Sequence, residues 1–147
     1  MGRTRSRTYN RLFTNLKKVP GVKNVRHERS GTGVDYEIVG DLDTSIFADG
    51  VIPCDGARVK VNWWTHADEE TAWFQFHYWD EIGLDCGWHR QPNDHVDGID
   101  HMQYRSDSAD EYTYESVEVE FDNAIGLMWE IVDGRLADFL KGRYTSQ

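Results

Sequence analysis

Residues 57–79 read ARVKVNWWTHADEETAWFQFHYW, and two alternations in this stretch decide the fold. In 57–65, Val59, Val61 and Trp63 fall on one side, and Arg58, Lys60 and Asn62 on the other. A period of two marks a half-buried strand. In 71–79, Phe74, Phe76 and Tyr78 alternate with Trp73, Gln75, His77 and Trp79. Bulky rings on both sides predict a central strand covered on both faces. His66–Glu70 supply the charged turn of a hairpin.

Working back from this hairpin, Cys54-Asp55-Gly56 is a turn signal and residues 40–56 read mostly as loop, with a short strand at Thr44–Phe47. Val34–Val39 and residues 22–29, VKNVRHER, read as two strands joined by a turn at Ser30–Gly33. In 7–18, Tyr9, Leu12, Phe13 and Leu16 make an apolar stripe at helical spacing, and Pro20-Gly21 ends that helix. Working forward, residues 80–110 show no clear periodicity and read as one long loop. Residues 111–120 alternate again as a strand. From Asp122 onward the apolar residues follow helical spacing, with Asp122 or Asn123 as N-cap and Gly142 as the stop.

This order predicts an α+β fold: an antiparallel sheet of about five strands, with an N-terminal helix and a C-terminal amphipathic helix packed on it. The 147 residues read as a single domain, 1–147. Its parts are a basic arm at 1–21, a sheet at 22–120 that contains the loop 80–110, and a helix at 121–142. With 39% apolar and 13% aromatic residues, the chain has material for a packed core and is not of disordered type. No apolar run is long enough to span a bilayer, and no apolar segment follows the basic N-terminus, so the expected location is the cytoplasm. Two cysteines, Cys54 and Cys86, are too few for a disulfide scaffold and read as free thiols, with a metal-ligand role for Cys86 as the sharper reading.

The net charge of −10 is split unevenly. Residues 1–29 carry nine Lys/Arg and one acidic residue, whereas residues 30–147 carry seven Lys/Arg and 25 Asp/Glu. A basic arm on an acidic body points to contact with something anionic, or to neutralisation of the body by its own arm. Asp (16) exceeds Glu (10) and Arg (11) exceeds Lys (5), a pattern expected of a halophilic archaeal protein. Surface steering is then screened over short distances at high salt.

Chemistry concentrates in residues 77–103, HYWDEIGLDCGWHRQPNDHVDGIDHMQ, which hold four of the six histidines. Three readings stand side by side. A zinc site would use Cys86, His89, His95 and His101, since zinc takes Cys sulfur and His nitrogen in a tetrahedral shell. Metal-free acid–base chemistry on RNA needs a base, an acid and a cation. His89, His95, His101 and Arg90 would supply them. His77, Trp88, Tyr104 and Arg105 would hold the substrate, the rings by stacking on bases. Arg3, Arg5, Arg7, Arg11, Lys17 and Lys18 of the arm would bind phosphates. The third reading is a loop held by ordinary hydrogen bonds, with Gly87, Gly98 and Pro92-Asn93 as turn formers. His27 and His66 read as surface residues.

The stretch from Tyr78 to Gly83 with Trp79-Asp80, then Gly87 to His89, His95 to His101, Glu111 to Tyr114 and the helix from Asp122 resembles the TumE family of toxin–antitoxin toxins in order and composition. This resemblance spans roughly residues 35–140. It implies a growth-inhibiting toxin neutralised by an antitoxin with a helix-turn-helix domain, and RNA cleavage as the activity. No cofactor is expected on the acid–base reading, with zinc as the alternative. The competing expectations are a non-enzymatic binding module with zinc in the histidine-rich loop, or a plain protein-interaction domain.

Overall fold

The computed structural model describes residues 7–29, 36–64, 73–90, 100–106 and 111–145. Helix α1 (Arg7–Leu16) is followed by seven strands: β1 (Val22–Arg29), β2 (Tyr36–Leu42), β3 (Ala57–Trp64), β4 (Trp73–Asp80), β5 (Asp85–Arg90), β6 (Asp100–Arg105) and β7 (Thr113–Ser116). Each strand pairs antiparallel with the next, in the order β1 to β7, so the sheet is a simple meander with β4 at its centre. A helical run closes the chain: α2 (Ala124–Trp129), a π-helical turn (Glu130–Arg135) and α3 (Leu136–Thr145).

The class is the expected α+β, with seven strands rather than about five. The two additional strands, β5 and β6, lie inside the stretch read as a loop. Thr44–Phe47 forms a turn that leads into a short 3-10 segment at Phe47–Gly50, not a strand. Gly142 does not end the last helix, which continues to Thr145. The turns at Ser30–Gly33 and His66–Glu70 lie outside the described residues.

All the helices cover one face of the sheet. Val59 and Val61 of β3, Phe74, Phe76 and Tyr78 of β4, and Cys86 and Trp88 of β5 point into that layer and are buried. Tyr9, Leu12 and Leu16 of α1 meet them, as do Leu127, Met128, Ile131, Leu136 and Leu140 of the C-terminal run. Each fully buried large aliphatic or aromatic side chain contributes about 1.5–3 kcal/mol, which makes this layer the main source of stability.

Local features fix how the helices meet the sheet. Gly21 follows α1 at φ +86°, and a Cβ there would sit 2.8 Å from the Phe47 backbone nitrogen. Both the angle and the close approach require glycine. Asn123 caps α2, its side-chain oxygen accepting from the Gly126 amide at 2.8 Å. On the inner side of β1, His27 stacks on Phe13 of α1 (centroids 4.1 Å) and its Nδ1 lies 3.1 Å from the Tyr9 hydroxyl. It belongs to the α1–β1 contact and is not a surface residue.

The opposite face of the sheet carries no helix among the described residues. Trp73, Gln75, His77 and Trp79 of β4 lie on it, half-buried. Among the described residues the strand is therefore central but covered by helices on one side only. Among the described residues no helix is long and apolar enough to cross a membrane.

Candidate functional site: a histidine–carboxylate face

Strand pairing on the open face lays its side chains out in rows. One row runs through Asn62, Gln75, His89, His101 and Ser116. The next runs through Lys60, His77, Gly87, Gln103 and Tyr114. A third holds Arg58, Trp79, Asp85 and Arg105. Histidines far apart in sequence thus become neighbours, because His77, His89 and His101 occupy three adjacent strands on the same side.

Gly87 is what lets them close up. It lies mid-strand in β5 rather than in a turn, and a Cβ there would overlap His77 Nδ1 and sit 2.7 Å from His89 Nε2. With hydrogen at that position, His77 Nδ1 lies 3.0 Å from His89 Nε2. On its other side His77 Nε2 bonds to Asp85 Oδ1. A carboxylate only accepts, so Nε2 carries the proton. Asp85 Oδ2 in turn accepts from the Tyr112 hydroxyl at 2.6 Å and pairs with Arg105 at 3.5 Å. The His89 and His101 rings are 5.3 Å apart, and His101 Nε2 lies 3.1 Å from Gln103 Oε1.

The electrostatics follow from burial and neighbours. His89 is 6% exposed. Burial, with His77, His101 and Lys60 around it, lowers its pKa to about 2, so the ring is neutral in any ordinary buffer. Burial works against the charge of Asp85, but the bonds from His77 and Tyr112 and the Arg105 charge outweigh it and hold the carboxyl below its usual range. The Tyr112 phenol is pushed up to about 12 by burial and by Asp85. His89 Nδ1 is buried and has no hydrogen-bond partner among the described residues. A cleft of ≈ 520 Å³ opens over this network, with His77, Asp85, Lys60, Arg105, Tyr112 and Trp79 in its lining.

The residues singled out from sequence divide between the two faces. His77, His89, His101 and Arg105 come together on the open face, although His101 is fully buried beneath it. Arg90 does not join them. Its guanidinium points into the helix-covered side, donates to Asp100 at 2.6 and 2.9 Å and to the Val119 carbonyl at 3.1 Å, and lies over Phe74 and Phe121. Trp88 is buried there too, in edge contact with Phe139, and Tyr104 packs on the same ring. Neither ring faces the cleft.

Cys86 also points to the core side, away from His89 and His101. Burial, with Asp85 and Asp80 nearby, raises its thiol pKa well above the ordinary value. The proposed zinc shell therefore does not converge among its described members. Among the described residues no group of three or more His, Cys, Asp or Glu is placed to hold a metal ion. His95, Arg3 and Arg5 lie outside the described residues. Arg7, Arg11, Lys17 and Lys18 are on or just after α1, and they do not line the cleft.

Asp85, Tyr112, Lys60 and Gly87 were not assigned to the site by sequence reasoning. The signal for Asp85 was available: it stands on the same side of β5 as His89, two strand positions beyond Gly87. It is visible only once residues 85–90 are read as a strand.

A meander sheet backed by one helical layer, with a histidine–carboxylate network on its open face, defines the architecture. A family model described as toxin TumE matches residues 23–136, from the first strand into the C-terminal helical run. The chain belongs to the TumE toxin family, and its function is toxin-like. No curated protein and no solved structure matches it.

Proposed function

We propose that this toxin acts in the cytoplasm by cleaving RNA, with His77 as the group that exchanges a proton with the substrate. The observation that carries this reading is the position of His77. It is held between the Asp85 carboxylate and His89 Nε2, at the wall of a cleft that also presents Lys60 and Arg105.

In a 2′-hydroxyl attack, the O2′–P bond forms and the P–O5′ bond breaks. His77 Nδ1 exchanges its contact with His89 for the 2′-hydroxyl and takes its proton. Asp85 stabilises the imidazolium this creates, as a buried carboxylate does for a catalytic histidine. Arg105 faces the negative charge that builds on the phosphorane oxygens. Lys60, on the neighbouring strand, delivers the proton that the departing 5′ oxygen needs. His89 and His101 lie behind His77 and position it; His101 is too deeply buried to reach substrate. Family membership supports a protein antitoxin as the neutralising partner, and we assign it a helix-turn-helix domain.

The test uses a 5′-labelled RNA, the same strand with 2′-deoxyribose throughout, and purified wild-type protein, His77→Ala and Asp85→Asn. The wild type should cut only the ribose strand and leave cyclic phosphate ends. His77→Ala should lower the rate by at least about 100-fold, the lower end of general acid–base contributions. Intact RNA with a folded wild-type protein, or full activity in folded His77→Ala, overturns the proposal.

A further inference from the structure

The rings assigned to base stacking from sequence, Trp88 and Tyr104, face the helical layer. The open face offers a different one. Trp79 lines the cleft and stands outside the apolar core. It is two residues beyond His77 on the same side of β4, about 6–7 Å along the strand. Its cross-strand neighbours are Arg58 on β3 and Asp85 on β5. The Arg58 guanidinium and Lys60 Nζ lie over the ring at 5.9 and 6.0 Å, distances long enough for a base to displace them, and the His77 ring is 6.5 Å away.

We propose that Trp79 is the platform on which an unpaired base of single-stranded RNA stacks, next to the group that exchanges the proton. This rests on the reading of RNA as substrate. A large π surface beside partly exposed cations, each in a surface ion pair that a phosphate can replace, matches a nucleotide in both of its parts. The base covers the indole, and the flanking phosphates meet Arg58 and Lys60 on one side and Arg105 on the other. The Arg58 and Arg105 side chains are 49% and 39% exposed, so both can reach a strand lying on the sheet. Only an unpaired base shows a free face, so a duplex is excluded from this contact. The arrangement also sets polarity of function along β4: Trp79 holds the base and His77 meets the ribose.

The experiment measures binding separately from turnover. Fluorescence anisotropy follows a labelled short oligouridine, and an abasic strand of the same length, on His77→Ala protein. The same strands are titrated into His77→Ala carrying Trp79→Ala or Trp79→Phe. Circular dichroism and melting curves check that each variant is folded. The expected result is about tenfold weaker oligouridine binding with Trp79→Ala, largely restored by Trp79→Phe, and no further loss on the abasic strand. Equal losses on both strands, or no loss on either, overturn the stacking assignment. Trp79-dependent binding without cleavage by the wild type overturns the cleavage reading and leaves the platform standing. Absence of binding to either strand overturns both.

Discussion

His77 and His89, twelve residues apart in sequence, meet ring nitrogen to ring nitrogen at 3.0 Å, and they do so over a residue that has no side chain. Gly87 lies beside His77 in the cross-strand register and two positions from His89 on its own strand. The contact is therefore a property of three residues, and its third member predicts an outcome. Gly87→Ala should force both rings apart, because the new methyl also comes within 3.0 Å of the Phe76 carbonyl and cannot retreat. Overpacking of this kind costs about 1–3 kcal/mol. Chemical denaturation should show that loss, and the remaining folded protein should lose toxicity on expression. A variant with wild-type stability and toxicity would contradict the close approach.

Neutral, buried His89 makes stability depend on pH. Its pKa is about 2 in the folded chain and about 6.5 when unfolded. Between those values the unfolded state binds more protons, so stability falls as pH drops below about 6.5. One such group contributes a slope of up to about 1.4 kcal/mol per pH unit. Asp85, with its pKa lowered, acts in a separate window: its contribution is present above the unfolded carboxyl value of about 3.9 and is lost only below it. Denaturation midpoints between pH 6.5 and 4 should fall steeply for the wild type and less steeply for His89→Gln. Parallel pH profiles would show that His89 is not the group responsible.

Asp80 ties the end of the chain to the rim of the cleft. Its Oδ2 accepts from the Tyr78 and Tyr144 hydroxyls at 2.6 and 2.5 Å. Its Oδ1 accepts from the backbone amides of Ile82, Gly83 and Leu84 at 3.0, 3.1 and 3.2 Å. Burial and Asp80 push both phenols well above their ordinary range, so both stay protonated and donate. Tyr144→Phe should cost about 1.5–3 kcal/mol, the usual contribution of a bond to a charged acceptor. Asp80→Ala should cost more, because it removes at once the acceptor of two hydroxyls and of the Ile82 and Leu84 amides, while the Gly83 amide keeps the Asp80 backbone carbonyl. Urea denaturation of the two variants checks the order; Tyr144→Phe as damaging as Asp80→Ala would refute it.

Arg90, a catalytic candidate from its sequence neighbours, should behave as a fastener. It clamps Asp100 on β6 and the Val119 carbonyl ahead of α2. Arg90→Lys keeps the charge but loses the two-pronged geometry. Its stability should fall by about 1–3 kcal/mol. Toxicity per folded molecule, and RNA cleavage if the proposed activity holds, should stay within a few-fold of wild type. Loss of turnover in fully folded Arg90→Lys would restore a direct role in the chemistry.

The elements readable from sequence were those with a clean period. Val59, Val61 and Trp63 marked β3; Phe74, Phe76 and Tyr78 marked β4; Tyr9, Leu12 and Leu16 marked α1. Strand β5 escaped because its alternation is disguised. Cys86 and Trp88 face the core, while the other side carries Asp85, Gly87 and His89, which read as turn and site residues. Strand β6 hides in the same way, with His101 fully buried on the polar side. The histidines were legible as chemistry but not as a face. Grouping them required the cross-strand register, and so did removing Arg90, Trp88 and Cys86 from the same side.

The π-helical turn at Glu130–Arg135 has a consequence for the phase of the last helix. Its defining bond joins the Leu136 amide to the Ile131 carbonyl, one residue wider than an α-turn. That extra residue turns everything beyond it by about 100° relative to a continuous α-helix. Removing one residue within 130–135 would let the helix regularise, at a small local gain in hydrogen bonding. Regularising the same residues without removing one would instead swing Tyr144 around the axis and away from Asp80, and carry Leu136 and Leu140 out of the core. A single-codon deletion at Gly134, where a Cβ would meet nothing within 4 Å, should thus leave Tyr144 on Asp80, because the wide turn is the place where the helix holds one residue more than its phase needs.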